Sequence, residues 1–125
     1  MNKKLIVCDI GASSARVFGA AYDGGKLSLE VLHRFLNKPI IVGTSLYWDI
    51  FALHEGLKRG IAAAGKDADS IGIDSFSNDY LLFDTTGAII EPPHAYRDGR
   101  TLGMVEEMDK HISRKELYYR TGLQF

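Results

Sequence analysis

The 125-residue sequence contains a single cysteine, Cys8, which excludes an internal disulfide framework. Its four histidines have none of the paired spacings typical of a zinc site. Acidic and basic residues nearly balance, with a formal net charge of −1, so no general attraction to nucleic acid or to an anionic membrane is expected. Glycosylation sequons, repeats and low-complexity tracts are also absent.

Long apolar runs are absent as well. The first run, residues 5–8, is interrupted by Asp9 and is too short for a secretory signal or a membrane span. We therefore expect a first β-strand here, in a cytoplasmic protein with no membrane partner. What is present is 46% hydrophobic and 25% charged residues, the usual balance of one soluble globular domain.

Three strand patterns open the chain, at residues 5–8, 16–22 and 26–35. The Asp-Gly-Gly at 23–25 predicts a tight hairpin turn between the second and the third. Alternation in the third strand predicts one shared face for the side chains of Leu27, Leu29, Val31 and His33.

The rest of the chain predicts alternating helices and strands. Residues 36–48 have the composition of a loop, and Asp49 can cap a helix whose apolar side chains recur at helical spacing until Gly65. A strand at 71–73, a small hairpin at 80–90 and helices at 101–111 and 113–122 follow. This order predicts an α/β domain of the ribonuclease-H-like class, with a mixed sheet that opens on three antiparallel strands and is flanked by helices.

The segment DIGASSAR, residues 9–16, carries the chemistry of the opening hairpin. Gly11 allows close approach of a ligand, Ser13 and Ser14 supply hydroxyl and N–H donors, and successive N–H groups in a tight turn bind anions. Arg16 adds a cation suited to phosphate. Asp9 would repel phosphate unless Mg²⁺ lies between them, so the segment predicts a Mg²⁺–nucleotide phosphate site. The alternative is a plain polar hairpin tip. No P-loop or dinucleotide-binding glycine motif is present.

Three blocks occur in order along the chain: CDIGASSARVFGAAYD at 8–23, DSIGIDSFSNDYLLFDTTG at 69–87 and AYRDGRT at 95–101. Together with YWDI and YRTGLQF they resemble the N-terminal end of the FGGY carbohydrate kinases, and most closely their rhamnulokinase branch. The resemblance implies an ATP-dependent kinase with the actin-like ATPase fold. Its substrate would be a small-molecule sugar, a deoxy-ketose such as L-rhamnulose.

The resemblance also implies residue roles. The ATP phosphates would bind at Gly11, Ala12, Ser13, Ser14, Ala15 and Arg16, and Mg²⁺ would lie near Asp9. The sugar would contact Ser77, Asn78, Asp79, Tyr96 and Arg97. The family's catalytic base is an aspartate in a Gly-His-Asp context, which is expected beyond Phe125. Residues 1–125 would then be an incomplete N-terminal kinase domain that is inactive alone.

Two departures from the family pattern leave the sugar open. Ala15 stands where the rhamnulokinases tend to have glycine, and residues 76–79 read Phe-Ser-Asn-Asp where they tend to have Trp-Gly-Val-Asp. L-fuculose or another FGGY sugar is therefore a second choice of substrate.

Two functions of a different class also stay open at this point. The first is a non-catalytic actin-like domain that binds nucleotide or sugar. The second is a nuclease built on Asp9, Asp74 and Asp79, which the near-neutral charge disfavours. No oligomeric state is predicted.

Overall fold

The computed structural model describes residues 2–124. Met1 and Phe125, the two ends of the expected domain, lie outside the described residues, and so does the last position of the YRTGLQF block. The described elements are β1 (Lys3–Ile10), β2 (Ser14–Tyr22), β3 (Leu27–Leu36), β4 (Pro39–Val42), β5 (Ser45–Trp48), α1 (Ile50–Ala63), β6 (Ser70–Ser75), a 3₁₀ turn (Gly99–Thr101), α2 (Met104–Asp109) and α3 (Arg114–Thr121).

The main sheet has the strand order β3-β2-β1-β6. Strands β1, β2 and β3 are antiparallel neighbours, and β6 is parallel to β1 after the crossover through α1. Strands β4 and β5 form a separate antiparallel pair. The predicted fold class, a mixed sheet that opens on three antiparallel strands, is confirmed.

The hydrophobic core lies between α1 and one face of this sheet. Ile6, Cys8 and Val17 are buried there, and the partly buried side chains packed on them are Leu57, Ile61, Ala64 and Ala68. Gly60 of α1 permits the close approach, because a Cβ atom there would lie 2.4 Å from Val17 Cγ2. Burial raises the pKa of the Cys8 thiol, which is the expected state of a cysteine that serves as a small core residue.

The predicted helix cap is confirmed: the Asp49 side chain accepts a hydrogen bond of 3.0 Å from the N–H of Ala52. The predicted face of β3 is wrong at one residue. Val17 pairs with His33 while Phe18 pairs with Val31, so a bulge shifts the register between them. His33 therefore shares the α1 face with Val17, opposite to Val31.

The second face of the sheet has little cover. Leu27, Leu29 and Val31 are each more than half exposed. All six residues of β6 are exposed too, including two apolar ones on the α1 face, Ile71 and Ile73. Apolar surface of this extent on a sheet normally contacts other parts of a protein.

Three local predictions are wrong. Residues 36–48 are not a loop, because β4 and β5 pair across a turn in which Gly43 has a φ of 62°. The hairpin at 80–90 consists of a single bridge between Phe83 and Ile89 rather than two strands. The helix expected at 101–111 is interrupted at Gly103. This residue has a left-handed φ of 78° and lies between the 3₁₀ turn and α2. The last predicted helix is confirmed, as α3.

Between residues 2 and 124, no helix has the length and apolar character needed to cross a bilayer.

Candidate active site

The turn between β1 and β2 consists of only three residues, 11–13. The N–H of Gly11 donates to the carbonyl oxygen of Ser14 at 3.1 Å, which closes the turn. A Cβ atom on Gly11 would lie 2.9 Å from that same oxygen, closer than real Cβ contacts. The glycine is therefore required by the tightness of the turn itself.

Asn37, which follows β3, holds this turn from behind. Its backbone N–H donates to the Ser13 carbonyl at 3.1 Å, and its side-chain Nδ2 donates to the Gly11 carbonyl at 2.9 Å. Asn37 is only 4% exposed. Within residues 2–124, the N–H groups of Ala12 and Ser13 donate to no protein acceptor. Two successive free N–H groups are the donor arrangement that binds an anion.

Asp9 lies inside β1, beyond the strand predicted at 5–8, and Arg16 lies inside β2, as the sequence predicts. They are direct cross-strand partners, and Arg16 Nη2 donates to Asp9 Oδ2 at 2.6 Å. Both side chains are partly exposed. Their neighbours on the same face are Asp74 in β6 and Arg34 in β3. The metal and phosphate roles predicted for these two residues are therefore coupled, since the arginine bonds the carboxylate.

The side chains at this sheet end suit a magnesium ion that keeps most of its water. Within the described residues there is no group of three or more metal-ligating side chains. Asp9 has one oxygen to which no described residue donates, and it lies two residues before the turn. Mg²⁺ bound with nucleotide usually takes one or two carboxylates and completes its shell with water and phosphate oxygens. The residues present fit that mode of binding.

The remaining predicted phosphate residues differ in their surroundings. Ser13 is exposed on the turn, and Ser14 is half-buried at the start of β2. The Ala15 side chain is fully buried in the sheet, so only its backbone lies near the turn. The structure therefore brings Gly11, Ala12 and Ser13 together at the surface and turns Ala15 inward.

The predicted sugar residues follow β6. In the parallel pairing Ile10 is the partner of Ser75, so β1 and β6 end side by side. Ser77 and Asn78 are exposed just beyond this edge. Ligands of α/β sheets bind outside the carboxyl ends of the strands, where loops of neighbouring strands meet. The turn at 11–13, predicted to bind phosphate, and the segment predicted to bind sugar thus start from the same sheet end.

Three aromatic rings form a cluster beside the sugar segment. Trp48 and Phe76 have ring centroids 5.1 Å apart, and Tyr96 lies 6.3 Å and 6.4 Å from them. Trp48 is buried, whereas Tyr96 is 36% exposed. The Arg97 guanidinium carbon lies 5.1 Å from the Tyr96 ring centroid, in the geometry of a cation–π contact. We call Trp48, Phe76 and Tyr96 the aromatic wall.

Asp79 joins the three segments of this wall. Its Oδ2 accepts from Trp48 Nε1 at 2.6 Å and from the backbone N–H of Tyr96 at 3.1 Å. Asp79 is half-buried, and among the described residues no donor reaches its Oδ1. The bonded Oδ2 therefore holds Trp48 and the Tyr96 backbone in one arrangement.

The loop that carries Tyr96 is fixed to β5 by backbone bonds. Trp48 N–H donates to the Pro93 carbonyl at 2.9 Å, and Ala95 N–H donates to the Leu46 carbonyl at 2.8 Å. Asp98, 6% exposed, accepts from the backbone N–H of Leu46 and from that of Arg100. The Asp98 carboxylate therefore joins β5 to the turn that follows Tyr96 through backbone N–H groups.

Sequence reasoning missed three residues of the site. Asn37 was placed in a loop, and Trp48 and Phe76 were not assigned to the site. A polar residue directly after a strand, such as Asn37, often bonds to nearby backbone groups. Nothing in the sequence spacing indicates that its partner is Gly11, 26 positions earlier. The indole of Trp48 needs a hydrogen-bond partner when buried, but the sequence does not reveal that Asp79 supplies it.

The sequence of the chain is similar to those of rhamnulokinases. Over 128 aligned residues the chain is 40% identical to a rhamnulokinase of Bacteroides thetaiotaomicron and 41% identical to a rhamnulokinase of Oceanobacillus iheyensis. These alignments cover 99% and 100% of the chain but 26% and 27% of the relatives. The chain thus spans about a quarter of their length. No protein-family model matches it.

Solved structures of sugar kinases share the fold. Gluconate kinase from Lactobacillus acidophilus superimposes with a TM-score of 0.75 at 11% identity, over 98% of this chain and 25% of that one. Xylulose kinase from Rhodospirillum rubrum gives a TM-score of 0.71 at 17% identity, over 93% and 25%. Glycerol kinase of Plasmodium falciparum, solved with ADP, gives 0.64 at 18% identity, over 93% and 24%. At these identities the likeness establishes the fold alone.

Proposed function

Because the chain is a homologue of the rhamnulokinases and has the fold of sugar kinases, we propose that it is the N-terminal part of an ATP-dependent carbohydrate kinase. The kinase transfers the γ-phosphate of ATP to a hydroxyl of a deoxy-ketose, of which L-rhamnulose is the first choice. The observation that carries this proposal is the meeting, at one sheet end, of a turn with two free N–H groups and a loop backed by an aromatic wall.

Phosphoryl transfer depends on positioning and on stabilising charge. The N–H groups of Ala12 and Ser13 donate to phosphate oxygens, with the Ser13 hydroxyl beside them. Asp9 would hold Mg²⁺, and Arg16 fixes the orientation of that carboxylate. The bound Mg²⁺ supplies positive charge against the phosphates. Removal of one well-placed donor of this kind costs on the order of 10²-fold in rate.

The sugar binds beside the loop that follows β6. Ser77 and Asn78 present two polar side chains to its hydroxyls. Asp79 holds the aromatic wall behind them, and Tyr96 with Arg97 borders the sugar. Pockets for small molecules commonly combine an aromatic surface with a few convergent polar groups. This combination suits a deoxy-ketose, which offers both hydroxyls and an apolar methyl.

The catalytic base lies outside this chain in the proposal, in the part of the kinase beyond residue 125. The exposed apolar side chains of β3 and β6 support a larger domain, because further elements can cover both. The chain's share of its relatives, 26%, agrees with this. Residues 1–125 alone are then expected to be inactive. The cytoplasmic location stays a prediction from the sequence.

The nuclease alternative has less support. It requires clustered carboxylates for two metals, and in the described part of the chain no group of three ligating side chains occurs. Asp9 is bonded to Arg16 instead. A non-catalytic nucleotide- or sugar-binding domain would use the same turn and wall, and it is distinguished from the kinase by the assay below.

The test is an ADP-release assay of the full-length protein with ATP, Mg²⁺ and a panel of ketoses that includes L-rhamnulose and L-fuculose. We expect ADP release that depends on one deoxy-ketose and equals the sugar phosphate formed. Binding of nucleotide or sugar without ketose-dependent ADP release would contradict the kinase proposal in favour of the non-catalytic domain.

Asp9→Asn tests the metal role within that assay. We expect kcat to fall on the order of 10²-fold and to recover partly at high Mg²⁺. Asp69→Asn is the matched control, because Asp69 pairs with Lys3 at 3.0 Å at the opposite end of the same sheet. The control should keep the wild-type kcat. Equal activity of the Asp9 variant and the wild type would show that Asp9 holds no metal.

A further inference from the structure

We propose that Asp79 is a positioning residue that sets the geometry of the aromatic wall and thereby the affinity for the sugar. This inference rests on the proposed function, because it concerns the sugar side of the same site. It differs from a direct contact in its mechanism: Asp79 acts through Trp48 and Tyr96. The evidence is that one carboxylate oxygen bonds both of them.

The two hydrogen bonds join parts of the chain that are distant in sequence. Trp48 ends β5, 31 residues before Asp79, and Tyr96 follows it by 17 residues. Phe76, in the same loop as Asp79, packs 5.1 Å from the indole. A single side chain therefore ties β5, the loop after β6 and the loop that carries Tyr96 into one unit.

The indole is the part of the wall that depends most on this contact. Trp48 is 7% exposed, and a buried indole N–H needs an acceptor. Its bond to Asp79 measures 2.6 Å, the short distance of a charge-assisted hydrogen bond. Without the acceptor, the buried N–H would be unsatisfied, which favours a turn of the ring toward water. Such a turn would move the surface against which Tyr96 packs.

The geometry distinguishes a positioning role from a sugar contact. Both donors share Oδ2, so an asparagine can offer its one carbonyl oxygen to both and keep the wall intact. Its amide nitrogen would then stand where the free Oδ1 is now, so a direct acceptor of a sugar hydroxyl would be lost. Asp79→Asn therefore preserves positioning and abolishes direct acceptance, whereas Asp79→Leu abolishes both.

The experiment measures the kinetics of the full-length protein with L-rhamnulose as probe and ATP at saturation. For Asp79→Leu we expect the KM for L-rhamnulose to rise about tenfold, the change expected when a hydrogen bond to a charged acceptor is lost. The KM for ATP should change less than twofold. Trp48→Phe, which keeps a ring but removes the N–H, should raise the sugar KM about threefold.

Two further results separate positioning from contact. Asp79→Asn should restore the sugar KM to within about twofold of the wild type, because it keeps both bonds. Trp48→Phe should add less than about twofold in the Asp79→Leu background, because the two residues act through one interaction. If Asp79→Leu does not fold, Trp48→Phe and Asp79→Asn still decide the question.

Several outcomes would overturn the inference. An Asp79→Asn variant as impaired as Asp79→Leu would identify a direct sugar contact. A Trp48→Phe variant with wild-type sugar KM would show that the indole bond does not position the sugar. Equal increases in the KM values for sugar and ATP would indicate general damage to the fold. A wild-type protein inactive on every ketose would instead refute the proposed function, a distinct result.

Discussion

Replacement of Asn37 by alanine should damage ATP binding from a distance. The change removes the 2.9 Å bond from Nδ2 to the Gly11 carbonyl and leaves the backbone bond to Ser13 in place. Because Asn37 is 4% exposed, water replaces its amide poorly. An unsatisfied buried partner costs about 1–3 kcal/mol.

That cost should appear in two measurements. The free energy of unfolding, from urea titration of the full-length protein, should fall by about 1–3 kcal/mol. The KM for ATP should rise about tenfold, because the freed Gly11 carbonyl lets the turn rotate its donors away from the phosphates. The KM for the sugar should stay within about twofold.

A matched control lies at the other hairpin of β2. The Asp23 side chain accepts from the N–H groups of Gly25 and Lys26 at 3.0 and 2.8 Å, so it also holds a turn by side-chain bonds. Asp23→Ala should lower stability without changing the KM for ATP. If Asn37→Ala behaved like this control, with reduced stability and an unchanged KM for ATP, the reasoning that joins Asn37 to the phosphate turn would be refuted.

The remaining predictions concern stability. Gly60→Ala should lower the free energy of unfolding by about 1–2 kcal/mol despite better helix propensity, because the new Cβ meets the Cβ and Cγ2 of Val17. Gly56→Ala should cost less, because its new Cβ meets ring atoms of Phe35, which can shift by side-chain rotation. Urea titration compares the two variants, and a stabilised Gly60→Ala would contradict the packing. Hydrogen bonds led by that of Thr86 hold the pKa of Asp84 below its ordinary value, so its stabilisation is present above about pH 4 and is lost as the pH falls through that lowered pKa. Asp84→Asn should therefore show a smaller drop in Tm between pH 7 and pH 3 than the wild type, and an equal drop would exclude this contribution.

Strong local patterns predicted the main elements of the fold. The apolar runs of β1 and β2, the Asp-Gly-Gly turn and the cap of α1 by Asp49 all depend on short-range chemistry that the sequence displays. The four-residue strands β4 and β5 were missed because their stability comes from each other and from the loop at 92–98, not from a periodic pattern. The bulge that turns His33 to the α1 face has no signal in the alternation of β3.

The candidate site divides in the same way. The sequence by itself determined that a tight glycine turn with adjacent hydroxyl and N–H donors follows the first strand, because backbone sterics and residue chemistry suffice for that inference. Through family resemblance it also predicts sugar contacts at residues 77–79 and 96–97, which stay a prediction.

Only the tertiary structure decided which polar groups are hydrogen-bonded within the protein and which side chains are buried. In the folded chain Arg16 bonds Asp9, and the Ala15 side chain is buried. Asn37 bonds the turn at 11–13, and Asp79 Oδ2 accepts from the indole of Trp48. Each of these outcomes depends on strand register or on contacts across many residues of chain. Hydrogen bonds are satisfied in three dimensions, so the partner of a polar side chain is settled by packing and not by its neighbours in sequence.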